Sequence, residues 1–373
     1  MDLVVFSDDW GRRPSAPQHL FAVLARRHRI LWVEPAGLRR PRPTRGDLAR
    51  SAGKLRGVLR PSTPSAPWLP EPPSLTRLVP PVLPAYGIAA VRRANDAGML
   101  RAVKAALARL RFVDPVLITT IPTMAGVVGT LGERCSIYWR VDDFSLWPGY
   151  DAPAIREREA VLLRRVDALA AAGENLLGPG PERQVLLRHG VDTGHFRRQP
   201  PPSGPPRALV AGRLDGRLDA GLIDQLARAM PELRIELLGE AVDVPSLLLA
   251  RPNVSHHPFV PYAELPDRLD AHVLLLPYAR SAWTDSLAPL KVREYLATGR
   301  PVVATPIPGL AQDPEVAPHL RFGEQSLVHA VRAALSEPPE AAERRRAACA
   351  AWSWERRAED LEALISLLTS AAV

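Results

Sequence analysis

Lys291 and Glu294 stand one helical turn apart within PLKVREYLATGRPVVAT, so an ammonium and a carboxylate share one side of a helix start. The pair suits a ligand bearing both phosphate and vicinal hydroxyls. The ammonium and the free amides of a helix start attract phosphate oxygens, whereas an ionised carboxylate accepts two hydrogen bonds from a diol. The alternative is a solvated helix face. Pro289 opens the predicted helix, and Gly299 with Pro301 ends it before the β-rich Val302-Val303-Ala304. Upstream, Val273-Leu274-Leu275-Leu276 reads as a buried strand whose carboxyl end leads through loop 278–288 into that helix. Open α/β sheets hold ligands at such ends.

A second cationic loop follows the predicted strand Ala208-Leu209-Val210-Ala211-Gly212 and carries Arg213, Asp215, Arg217 and Asp219. Arginine suits phosphate because its planar donors bind two oxygens at once. A surface salt-bridge loop is the other reading. Gly239, after the predicted strand from Arg234, admits a ligand close to the backbone. In the first half, Asp142 and Asp143 follow the strand SIYWRV directly, either facing a ligand or capping a turn through local amides. His189 and His195 lack an accompanying carboxylate or cysteine cluster, so no metal centre is expected from them.

The elements that must position these residues alternate between β and α. Leu3–Phe6 and Ile30–Val33 read as buried strands around a helix at 15–28, a doubly wound opening. The first turn, Ser7 to Pro14, contains Gly11 but no GxGxxG, which argues against a nicotinamide enzyme. Helices are predicted at 95–111, 123–131 and 153–166, with strands at 115–120, 136–141 and 166–172. A helix at 219–230, strands at 234–239 and 254–260, and a helix start at Tyr262 continue the series. Trp352-Ser353-Trp354-Glu355 opens a last helix towards 370.

From Gly37 to Arg60 eight Lys and Arg face one acid, Asp47, and the proline-rich continuation to Pro84 predicts an excursion from the sheet. It reads as a solvated loop or as a lip that meets anionic headgroups. The 373 residues exceed one ordinary core, and 197–207, with five prolines, marks a boundary. The expected domains are 1–196, the linker 197–207, 208–350 and a terminal helix at 351–373. With 46% hydrophobic and 24% charged residues the chain is globular, and its two cysteines imply a reducing compartment without a disulfide framework. Neither a signal peptide nor a membrane-spanning run is read in it. Its net charge of +8, without a basic-aromatic recognition motif, favours anionic small molecules or an anionic membrane face over nucleic acid.

On PLKVREYLATGRPVV, FSDDWGRRPSAPQHLFAVLARRHRILWVEP, YWRVDDF, RHGVDTGHF and VAGRLDGRLDAGLI, taken in order, the chain resembles the family-four GT-B glycosyltransferases, notably the teichuronic-acid and exopolysaccharide type. The resemblance implies an α/β fold of two Rossmann-like domains facing a central cleft, with the C-terminal helix crossing back to the first domain. It implies transfer of a hexose from a nucleotide-diphosphate donor, UDP-linked first, to a glycan, lipid-linked or small-molecule acceptor with retention. Donor binding is expected at Gly11, Arg213, Arg217, Gly239, Ser286, Leu287, Leu290, Lys291 and Glu294, and acceptor chemistry at Asp142 and Asp143. No cofactor or metal is expected, and the implied location is cytoplasmic, peripheral to the inner membrane face. Ser286 stands where the family commonly has the first of two glutamates, which leaves a binding protein with a decayed site as one alternative; a sugar-nucleotide 2-epimerase, which shares the architecture, is the other.

Overall fold

The computed structural model describes residues 1–34, 67–83, 88–197, 202–323 and 326–370. The basic stretch 37–60 lies outside the described residues, as do 198–201 of the proline-rich linker. The chain forms two units, Met1–Arg188 with Arg357–Val373, and His189–Arg356.

The first unit holds seven strands: β1 Asp2–Phe6, β2 Arg29–Val33, β3 Leu75–Leu78, β4 Val116–Thr119, β5 Cys135–Arg140, β6 Ala168–Ala171 and β7 Arg183–Leu186. Their order is β3-β2-β1-β4-β5-β6-β7, and every pairing is parallel. Leu3–Phe6, Ile30–Val33 and Val116–Ile118 are essentially without exposed surface, as a sheet covered on both faces requires. The chain turns from one half of the sheet to the other between β1 and β4. Phe6 pairs with both Val33 and Thr119, so three strands end level there.

The second unit repeats the plan with β8 Arg207–Ala211, β9 Arg234–Leu238, β10 Val254–His257, β11 Val273–Leu276, β12 Val302–Ala304 and β13 Leu320–Phe322. The order is β10-β9-β8-β11-β12-β13, again all parallel, with the switch between β8 and β11. Each unit is therefore Rossmann-like.

Several elements differ from those read in the sequence. The proline-rich stretch before Pro84 is not wholly an excursion, because Leu75–Leu78 forms the edge strand β3. Edge strands β7 and β13 are also present; their half-exposed residues carry no buried apolar run to betray them. In place of a helix at 123–131 there is only the 3-10 turn Pro122–Gly126, since Gly126 sits against the Asp96 carboxylate and Gly129 turns the chain. Helices at Leu327–Leu335 and Glu340–Ala350 complete the second unit.

The boundary between units falls ahead of the proline-rich segment. Val191 donates its amide to the Trp352 carbonyl at 2.9 Å, and Phe196 is fully buried in the second core. Residues 189–196 thus pack with the second unit. The helix Trp354–Ser370 passes to the first unit at Arg357. There Glu362 meets His28 Nε2 at 2.6 Å and Arg27 at 3.1 Å.

Candidate functional site

At the switch point of the second sheet, backbone approaches backbone more closely than a side chain would permit. Gly239, just past β9, has φ +139°, and a Cβ there would lie 1.8 Å from the Gly212 carbonyl oxygen. Gly212, just past β8, has φ +126°, and its Cβ would meet Lys291 Nζ at 2.0 Å. Only glycine fits either place. The loop after β8 is stitched across the switch, with Asp219 N–H donating to Pro277 O at 2.8 Å and Ala279 N–H to Arg217 O at 2.9 Å.

The helix Lys291–Ala297 is locked to the end of β8 by Tyr295, whose hydroxyl accepts from Ala211 N–H at 2.8 Å and donates to Ala211 O at 3.2 Å. Lys291, one turn before, is thereby laid over Gly212. Burial lowers the Lys291 ammonium to about 8, with Arg217 adding to the effect and Glu294 and Asp215 opposing it. Burial raises the Glu294 carboxyl to about 7, against Lys291 and the Tyr262 hydroxyl that favour its ionised form. Tyr262 donates to Glu294 Oε1 at 3.5 Å and stacks on His195, ring centroids 4.5 Å apart.

Asp215 organises the arginines. Its two oxygens take Arg217 Nε at 2.8 Å and Nη2 at 2.9 Å, and Arg213 Nε lies 3.5 Å away. The Arg217 guanidinium also lies 4.9 Å from the Trp283 ring centre, so its plane is set by a carboxylate and an aromatic face. The salt bridges read as one alternative for this loop are thus present.

The structure therefore gathers Arg213, Arg217, Gly239, Lys291 and Glu294 at the carboxyl ends of β8, β9 and β11. Ser286 and Leu287 follow the short helix Ala282–Asp285; the Ser286 hydroxyl donates to Trp283 O at 2.8 Å, and Leu287 is buried. Leu290 is the helical residue that leads into Lys291. Gly11, Asp142 and Asp143 belong to the first unit. Gly11 donates its N–H to Gln18 Oε1 at 2.8 Å and lies against Pro67. Asp143 caps the 3-10 turn Phe144–Leu146, accepting from Ser145 N–H at 2.9 Å and Oγ at 2.7 Å, and stands 3.6 Å from Arg140.

Sequence reasoning missed Tyr295, Tyr262 and Trp283. Tyr295 had a signal, four residues from Lys291 on the same side of the helix. The other two stand on short helical turns, Tyr262–Glu264 and Ala282–Asp285, far from Lys291 in helical spacing, and had none. The motif's other cations point elsewhere: Arg293 is buried against Asp313 at 2.8 Å and Glu315 at 2.7 Å, and Arg300 lies 3.1 Å from Asp270. His195 Nε2 meets Tyr262 O at 2.9 Å. Among the described residues no group of three or more His, Cys, Asp or Glu is gathered to hold a metal. Nor does any described helix have the length and apolarity to cross a membrane.

A cationic cradle beside a poised carboxylate is an arrangement for an anionic, hydroxyl-bearing ligand. Residues 217–363 match the family model described as Glycosyl transferase-like. TuaH of Bacillus subtilis (strain 168), named for teichuronic acid biosynthesis as a glycosyltransferase, is 24% identical over 180 residues, 42% of this chain and 45% of that protein. The chain thus spans less than half the length of this curated relative. Among solved structures, the sucrose-phosphate synthase of Thermosynechococcus elongatus superposes with a TM-score of 0.71 at 15% identity, covering 99% of each chain. Anabaena HepE, solved in complex with UDP-glucose, gives 0.66 at 13% identity over 98% of this chain and 99% of that one.

Proposed function

We propose that this chain, whose two Rossmann-like sheets match those of GT-B glycosyltransferase structures, is a glycosyltransferase that moves a hexose from a UDP-sugar to a hydroxyl acceptor with retention. The observation that carries the reading is the Lys291 ammonium laid over Gly212 beside Arg217, with Glu294 one turn further on. Arg217 lies near enough to Lys291 to lower it, and Arg213 stands 3.5 Å from the Asp215 carboxylate that holds Arg217, so the reading assigns a diphosphate to these cations and a ribose or sugar diol to Glu294. That the HepE structure contains UDP-glucose supports the choice of nucleotide.

In the reaction the bond from the anomeric carbon to the diphosphate oxygen breaks, and its electron pair leaves with UDP. The acceptor oxygen bonds to that carbon, and its proton passes to the departing phosphate. Arg213, Arg217 and Lys291 offset the charge gathering on the diphosphate, stabilisation that grows as the bond lengthens. Because Asp215 and Trp283 already hold Arg217 in place, little reorganisation is needed at that moment. Glu294, ionised above about 7, accepts from the donor's hydroxyls. Asp142 is assigned to acceptor recognition, while Asp143 shapes the turn beside it.

Thermal unfolding with UDP, GDP and dTDP tests the reading. UDP at a hundred times its dissociation constant is expected to stabilise by about 2.7 kcal/mol, with the other two weaker. Stabilisation by none of the three rejects a nucleotide donor, and release of a free sugar epimer without an acceptor would replace transfer with epimerisation.

A further inference from the structure

Glu294 is a nearly buried carboxylate with very little to hold it. The residue is 8% exposed on the helix Lys291–Ala297. Among the described residues a single hydrogen-bond donor reaches it, the Tyr262 hydroxyl 3.5 Å from Oε1, and no cation forms an ion pair with it. The Tyr295 hydroxyl, next to it in the chain, is committed to Ala211. A buried charge is costly unless it is paired or hydrogen-bonded, so this one bond matters more than its length suggests. A carboxylate offers about four acceptor positions, and one donor on Oε1 leaves Oε2 for a ligand.

Tyr262 is itself clamped by a segment far upstream in the chain. Its ring stacks on His195, with planes 19° apart, and meets Phe196 edge-on at 5.6 Å. His195 Nε2–H donates to the Tyr262 carbonyl at 2.9 Å, so one imidazole holds both the ring face and the backbone. That imidazole is set in turn by the His195 N–H, which donates to Asp192 Oδ1 at 2.9 Å, and by the fully buried Phe196 beside it. The segment is fixed again at Gly190, where a Cβ would lie 2.7 Å from Trp354 Cδ2.

We infer that Tyr262 is a positioning residue for the donor: held by His195, its hydroxyl fixes Glu294 Oε1 and leaves Oε2 to accept the donor's hydroxyls. A binding group whose rotamer is already set loses less freedom when the ligand arrives. The inference rests on the glycosyltransferase reading for the identity of the ligand, and it adds the residues that decide when Glu294 can take it. Burial raises Glu294 to about 7, whereas the Lys291 charge and the Tyr262 hydroxyl oppose the rise. Burial and the charges of Glu294 and Asp192 hold the Tyr262 hydroxyl above its ordinary range, so it remains a donor wherever the site works. Take that hydroxyl away and Glu294 keeps its proton to higher pH, where it cannot accept fully.

The test uses the full chain and Tyr262→Phe, which keeps the ring between His195 and Phe196 and removes the hydroxyl. Without ligand, Glu294 is followed through its carboxyl infrared band, identified by its loss in Glu294→Gln. The midpoint is expected to move from about 7 to about 8 in Tyr262→Phe, and by a smaller step in the same direction in His195→Ala, which keeps the hydroxyl but frees the ring. UDP-glucose affinity in Tyr262→Phe should then fall about fivefold near pH 7 and less than about twofold near pH 9, where the carboxylate is ionised in both proteins. An unmoved midpoint in either variant, or an affinity loss of the same size at both pH values, overturns the inference. Failure of the wild-type protein to bind UDP-glucose would instead sink the glycosyltransferase reading, while the ligand-free titration still decides the role of Tyr262.

Discussion

The two sheets are built to one plan, and their switch points carry different side chains. Between β8 and β11 the carboxyl edge bears Arg213, Arg217 and Lys291 over glycine backbone. Between β1 and β4 it bears Asp8, the two bridged hydroxyls of Ser7 and Thr120, and Asp9 paired with Arg12. The topology fixes where a ligand sits, and the few side chains in the first turn after each strand decide its charge. A cationic edge suits a leaving diphosphate.

The largest expected effect breaks the second edge at its backbone. Gly239→Ala drives a Cβ into the Gly212 carbonyl at a positive φ, so a loss of about 3 kcal/mol or more is expected in denaturant unfolding. A loss under about 1 kcal/mol would show that this contact relaxes freely.

Removing the charge while keeping the backbone comes next. Lys291→Ala is expected to lower turnover by about 2 to 4 kcal/mol, exceeding its loss of UDP affinity, because the ammonium meets charge that grows in the transition state. Initial rates beside calorimetry separate the two, and equal losses would mean that Lys291 serves ground-state binding alone.

The pH dependence of donor binding sharpens the contrast further. Glu294 titrates near 7, above its ordinary value, so its acceptor role fades as pH falls through 7; Lys291 titrates near 8, below its ordinary value, so its charge fades as pH rises through 8. UDP-glucose affinity should peak between these values. Glu294→Gln is expected to flatten the acid side and cost about 1.5 to 3 kcal/mol. An unaltered acid side would assign that limb to another group.

The smallest effect belongs to the first unit. Asp142→Asn should leave UDP affinity within about threefold while lowering turnover with the acceptor. Equal losses in both measurements would place Asp142 with Asp143 as part of the turn.

Much of this contrast was legible in the residue order. The core strands β1, β2, β4, β8 and β11 were visible because buried parallel strands are continuous apolar runs, and Lys291, Glu294 and Arg217 stood out by spacing after such runs. Strands β3, β7 and β13 were not, since their residues are mostly half-exposed or exposed and leave no apolar run.

By itself the sequence determined two βα series and which residue types follow each strand, because apolar periodicity and turn chemistry are local properties of the chain. It did not determine which of those residues meet. Gly212, Gly239 and Lys291 come together only because β9, β8 and β11 are neighbours in the sheet although other segments separate them along the chain. The rise of Glu294 and the fall of Lys291 likewise depend on how much protein surrounds each charge, a quantity that tertiary packing alone sets.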